Sequence, residues 1–193
     1  CSAELVFGTG ERPPDFVHLF VGFFIGGGIV LNNSLFVGSN GNAGAFGPLP
    51  VATRGERVTQ LIDVASLASL ERAVIEAGGN PGMIWESSAA WTVPPDLVAE
   101  WTAEAAKGLA WAIVTAASVI DVSCAVIDGW LPAEVRADLI QQTRDALADF
   151  DFTGLDPVRV EAGTIGAEAR SLGAASLPLS ERFLLDRHAM YRS

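Results

Sequence analysis

The sequence predicts an α/β protein, and three observations point there. Residues 16–51 hold two β-rich apolar runs around a triple glycine, strand-like and helix-like segments alternate after residue 94, and 20 glycines with abundant alanine suit close helix–sheet packing. At 193 residues the chain is long enough for one sizeable domain or one lobe of a larger protein, given about 100–200 residues per domain. Half of its residues are hydrophobic and 18% are charged, which excludes a disordered chain.

The elements can be justified in order. Residues 1–7 read as the end of a helix stopped by Gly8, and the absence of an initiator Met leads us to expect that an N-terminal portion precedes them. A Gly/Pro-rich connector over 9–15 leads into an aromatic and β-branched run over 16–24. Gly26, Gly27 and Gly28 then let the backbone turn or approach a ligand. Residues 29–31 and 35–37 read as a hairpin with Asn32 and Asn33 at its tip, since Asn tolerates the positive φ of a two-residue turn. The glycine- and amide-rich loop over 38–44 and a Pro-containing loop up to Val58 follow. Leu61, Val64, Ala65, Ala68 and Val74 recur at helical spacing, giving one or two helices that end at Gly78 and Gly79. Residues 80–90 are turn-rich. Pro94, Pro95 and Asp96 open the longest helix, whose inward stripe is Leu97, Trp101, Ala105, Leu109, Ala112, Ile113 and Ala116. Residues 123–127 read as a buried parallel strand, 133–150 as an amphipathic helix with Val135, Leu139 and Leu147 inward, and 158–161 as another strand. A small-residue helix over 163–177, stopped by Pro178, and a polar-tipped tail over 179–193 complete the chain.

Charge and cysteine content narrow the function. The net charge of −11 repels a phosphate backbone, so this chain is a poor nucleic-acid binder by itself. Cys1 and Cys124 form no metal-ligand cluster and fit a reducing cytoplasm. No signal peptide is visible, and the most apolar stretch, 108–120, is shorter than the ~20 residues of a membrane helix. A strand, a hairpin and a polar glycine loop in succession suit a small-molecule cleft, although glycines that merely make turns give the same pattern.

The stretches VGFFIGGGIVLNNSLFVGSNGNAGAFG, VASLASLERAV and AVIDGWLPAEV resemble, in order, the glycine-rich strand and hairpin, the helix after the zinc loop, and the adenosine-side strand of the ROK family. That family contains sugar kinases and sugar-responsive transcriptional repressors. The resemblance covers nearly the whole chain. It implies the C-terminal lobe of an actin-like ATPase (ribonuclease H-like) fold, a mixed sheet with helices packed on it. It also implies one lobe over 1–193: a helix end over 1–8 from an absent N-terminal portion, strands, hairpin and glycine-rich loop over 9–52, then helices with βαβ-type units over 53–193.

Several positions depart from the family pattern. Phe23 stands where the kinases carry a phosphate-contacting Thr, and Ala45 and Pro48 replace a sugar-binding Glu and a zinc-binding His. The zinc loop's cysteine cluster is absent around residues 54–60, the Glu after it aligns with Ile62 beside Asp63, and Asp128 replaces the first of two adenosine-side glycines. The kinases' catalytic Asp would lie upstream of Cys1. The expectation from these losses is a non-catalytic chain without zinc or ATP: the effector-sensing and dimerising lobe of a ROK transcriptional regulator. Its partners would be a sugar or sugar derivative, a second copy of itself, and DNA only through an upstream winged helix, with no membrane. The alternatives are an ATP-dependent ROK sugar kinase and a dimerisation scaffold without a ligand.

The candidate ligand residues are Asn40, Asn42, Gly44 and Asp63, on the loop and helix start where the resemblance places the sugar. Gly22, Gly26, Gly27, Gly28 and Gly129 are candidate remnants of the nucleotide loops. Asn40 and Asn42 would equally brace their own loop, and Asp63 would equally serve its helix dipole. His18 reads as a hydrogen-bonded core histidine, His188 as solvated, and Cys124 as an inert thiol. The tryptophans Trp85, Trp91, Trp101, Trp111 and Trp130 offer either a sugar-stacking platform or core, with core or a dimer surface the expectation for Trp101 and Trp111.

Overall fold

In the computed structural model, which describes residues 1–9, 12–52 and 58–168, the aromatic run after Asp15 forms strand β1 (Phe16–Val21), covered on both faces. A strand buried on both sides needs no polar alternation, which explains its unbroken apolar character. The chain returns antiparallel as β2 (Gly26–Leu31), with Gly28 opposite His18 and Gly26 opposite Phe20. The triple glycine is therefore strand rather than turn, and residues 22–25 make the reversal. Crowding is the reason: a Cβ on Gly27 would lie 2.5 Å from the His18 carbonyl oxygen and from Phe46 Cδ2, and one on Gly28 would lie 2.5 Å from Cys1 Cβ. Strand β3 (Ser34–Phe36) completes the hairpin, and Asn32 and Asn33 take φ of 53° and 56° at its tip, as their residue type predicts.

Strands β4 (Pro50–Ala52) and β5 (Val58–Gln60) pair antiparallel as a separate small sheet where the sequence suggests only a loop. Three-residue strands carry too little periodicity to be read. Helices α2 (Leu61–Ala65) and α3 (Leu67–Glu76) are divided by Ser66, which has extended backbone. A single turn, α4 (Gly82–Trp85), precedes the long helix α5 (Pro95–Ile120).

The expected α5 stripe is buried from Trp101 to Ala116, while Leu97 is half-buried. Helix α5 packs on α2 closely enough that a Cβ on Gly108 would lie 2.8 Å from Val64 Cγ2. On length the membrane argument needs correction: α5 has 26 residues and a window of mean hydropathy 1.3, enough to cross a bilayer by those two measures. Half of that window is buried inside the protein, the surroundings of a core helix.

Strand β6 (Cys124–Gly129) lies parallel to β1, and helix α6 (Ala133–Leu147) crosses over to β7 (Arg159–Ala162), parallel to β6. The resulting five-stranded order is β3-β2-β1-β6-β7. Val17, Leu19, Val21 and Ile127 face the main core beneath the helices. On the other face Phe16, Val30, Cys124 and Val126 are covered by Cys1 and Leu5 at the start of the chain, where helix α1 (Ser2–Phe7) lies. After β7 the structure describes one 3-10 turn, Gly166–Glu168. The helix expected to continue to 177, Pro178, the tail with His188, and residues 53–57 lie outside the described residues.

Burial of Cys124 pushes its thiol up to about 11. Iodoacetamide at pH 8 should leave Cys124 unmodified in the folded protein and alkylate it after denaturation, as read by peptide mass spectrometry; alkylation of native Cys124 as fast as that of Cys1 would contradict this burial.

Candidate functional site

Parallel β1 and β6 deliver their carboxyl ends to the same edge of the sheet, the place where open α/β sheets take up ligands. The Trp130 N–H donates to the Val21 carbonyl at 2.9 Å. Strand β6 approaches there so closely that a Cβ on Gly129 would stand 2.3 Å from the Val21 oxygen. The reversal over 22–25 is fixed on the amino end of α3. Leu67 and Ala68 N–H groups donate to the Gly22 and Phe23 carbonyls at 3.0 Å, and the Ile25 N–H donates to Ser66 Oγ at 3.0 Å. The first two donors of α3 are thus satisfied by the loop itself.

Phe23 emerges from this loop 42% exposed. Together with Phe20, Gly22, Trp85, Trp130 and Ala167 it lines a slot of about 280 Å³. The Phe23 and Trp85 ring centroids are 5.9 Å apart, and those of Trp85 and Trp130 are 6.5 Å apart. Both indole N–H groups have partners: Trp85 Nε1 donates to Glu71 Oε2 at 2.6 Å and Trp130 Nε1 to the Ile84 carbonyl at 3.1 Å. The ring planes are therefore held while part of each ring lines the slot. None of the described residues lining it is titratable, so its chemistry is stacking on a flat ring.

The other tryptophans divide as their environments dictate. Trp101 is buried and donates to the Ser66 carbonyl and Ser69 Oγ. Trp111 is 40% exposed and meets Phe150 edge-on at 5.2 Å.

Gly22 and Gly129 come together at the slot. Gly27 and Gly28 do not face it: Phe46 packs on Gly27, and Gly44 packs on Gly28, where a Cβ on Gly44 would lie 2.6 Å from Gly28 Cα. Around Gly26 there is open space. Asn40 and Asn42 sit at the exposed loop. Asp63 is exposed at the start of α2, where Oδ2 accepts Thr59 Oγ1 at 2.8 Å and the Gln60 N–H at 3.3 Å in a capping box. The Ile62 N–H donates to the Gly47 carbonyl at 2.9 Å, tying the base of the glycine loop to α2.

Two features escape a reading of the sequence alone. Asp128 is fully buried and accepts from Arg136 Nη1 and the Gly129 N–H at 2.9 Å and from the Gly166 N–H at 2.7 Å. Read along the sequence, Asp128 is only a replaced glycine; its partner eight residues on, across a strand-to-helix turn, follows no local periodicity. His18 is fully buried, but neither ring nitrogen has a hydrogen-bond partner among the described residues, which corrects the expectation of a hydrogen-bonded histidine. Burial first, then nearby positive charge including Arg12, holds its imidazole well below the ordinary histidine range.

Residues 1–90 match the ROK family model. The bifunctional enzyme NanE/NanK of Brucella melitensis is 30% identical over 179 residues, which cover 90% of this chain and 32% of that protein. The chain therefore spans about a third of the length of the curated relatives it matches. A ROK family glucokinase from Streptomyces griseus, in complex with glucose and AMPPNP, superposes with a TM-score of 0.64 at 23% identity, covering 91% of this chain and 64% of that one. A ROK family transcriptional regulator, a homolog of the E. coli MLC protein, superposes with a TM-score of 0.66 at 20% identity, covering 90% and 48%. These structures establish the fold as that of the ROK sugar kinases, the actin-like ATPase fold. The expectation of a non-enzyme is overturned: the curated relatives that align along most of the chain are named as enzymes. Likeness to the regulator at 20% identity extends to fold alone.

Proposed function

From the premise that residues 1–90 are ROK-family sequence, we propose that the chain is a lobe of an ATP-dependent sugar kinase. The observation that carries this reading is the 30% identity to NanE/NanK along nine-tenths of the chain. The slot at the carboxyl ends of β1 and β6 supports it, because pinned aromatic faces take up a purine by stacking. Asn40, Asn42 and Asp63, on the loop and helix beyond the hairpin, are the groups proposed to meet sugar hydroxyls. Phosphoryl transfer depends on positioning and on neutralising phosphate charge. Stacking in the slot supplies positioning, and with Phe23 in place of a hydroxyl the loop can offer phosphate only backbone groups.

The test uses the full-length gene product with Mg-ATP and a panel of hexoses and N-acetylhexosamines. Sugar-dependent ADP release with a phosphorylated sugar in the mass spectrum is the expected result; no turnover with any sugar at saturating ATP would overturn the proposal. Trp130→Ala should weaken AMPPNP binding roughly fivefold to 150-fold by calorimetry, since base–aromatic stacking contributes about 1–3 kcal/mol. Unchanged affinity would move the nucleotide away from the slot.

A further inference from the structure

The sheet face opposite the main core carries a second convergence of side chains. Glu4 reaches it from α1, His18 from the middle of β1, and Asp128 from the end of β6, which pairs with Phe20 two residues beyond His18. One ligand atom from each lies within 4.8 Å of the other two, and all three residues are buried. Glu4 is anchored through one carboxylate oxygen and Asp128 through both. Glu4 Oε1 accepts Arg12, the Thr164 N–H and Thr164 Oγ1, the last two at 2.9 Å, while Glu4 Oε2 has no partner among the described residues. Asp128 is anchored by Arg136 and by two backbone N–H groups. His18 brings one ring nitrogen to the same place, and neither of its buried ring nitrogens has a hydrogen-bond partner among the described residues.

We propose that Glu4, His18 and Asp128 form a binding site for a zinc-class divalent cation, independent of the kinase reading. One imidazole nitrogen and two carboxylate oxygens are a donor set for zinc or cobalt rather than for the all-oxygen coordination of calcium or magnesium. Arg12 and Arg136 take the role that outer groups play around metal centres, holding the carboxylates in orientation through their other lone pairs. These two cations already balance the carboxylate charges, so the competing occupant is a buried water bridging the same three atoms.

The experiment separates the two. Chelator-treated full chain is dialysed against zinc and, separately, cobalt(II), and bound metal is counted by elemental analysis. The expected result is one equivalent per chain, a cobalt d–d absorption band, and a rise in melting temperature with zinc but not with magnesium. His18→Phe keeps ring volume without a donor and should lower affinity at least tenfold. Glu4→Gln, which retains an oxygen for Thr164, makes the same test should His18→Phe fail to fold by circular dichroism. No stoichiometric retention by the wild-type chain assigns the space to water and overturns the proposal, as does equal affinity in a folded His18→Phe or Glu4→Gln variant.

Discussion

Arg136→Ala should lower the free energy of unfolding by about 3 kcal/mol, the lower part of the range for breaking a buried ion pair from one side. The size follows from what is left behind. The Asp128 side chain is fully buried, whereas that of Arg136 is 24% exposed, so removing the guanidinium strands a carboxylate that solvent cannot reach. Two backbone donors, from Gly129 and Gly166, remain but carry no net charge. Arg136 also donates to the Gly163 carbonyl at 3.3 Å, so the variant loosens the exit of β7 as well. Urea denaturation measures the loss. A double variant, Asp128→Ala with Arg136→Met, should recover most of it, because replacing both members of a buried pair by apolar groups is often near neutral. A double variant as unstable as Arg136→Ala would show that the arginine acts through something other than the pair.

Gly44→Ala is the second large effect expected, roughly 2–4 kcal/mol of destabilisation from left-handed backbone plus overpacking. Gly44 has φ of 78°, and its missing Cβ is the space into which Gly28 fits. Gly41 supplies the control. It has φ of 71°, and a methyl group added there would meet nothing within 4 Å, so Gly41→Ala should cost only the backbone part, about 1–2 kcal/mol. Equal losses in the two variants would mean that contact with Gly28 contributes nothing.

These two sites show what was legible in the sequence. Features set by local chemistry could be read: the Asn32–Asn33 tip, the proline entry of α5 and its inward stripe, and the parallel strand after Ser123 all stand where residue type and spacing put them. Features set by distant partners could not. Gly27 and Gly28 look like a turn because the crowding that demands glycine comes from Phe46, Gly44 and Cys1, none of them periodic neighbours. The aromatic slot draws on Phe23, Trp85 and Trp130, three residues far apart in sequence that only the pairing of β1 with β6 and the placement of α4 bring together. The same holds for the convergence of Glu4, His18 and Asp128, which lie on three separate stretches of chain.

The pairing of β1 with β6 also has a temporal side. Val17 lies opposite Ala125, so the neighbour that completes the central strand is made 108 residues later. At synthesis rates of about 5–20 residues per second, the hairpin waits roughly 5–20 s with one apolar strand edge unpaired. Such an edge is a template for association with other chains. Yield in cells should therefore depend on translation speed and chaperone supply more than the stability of the finished sheet would suggest.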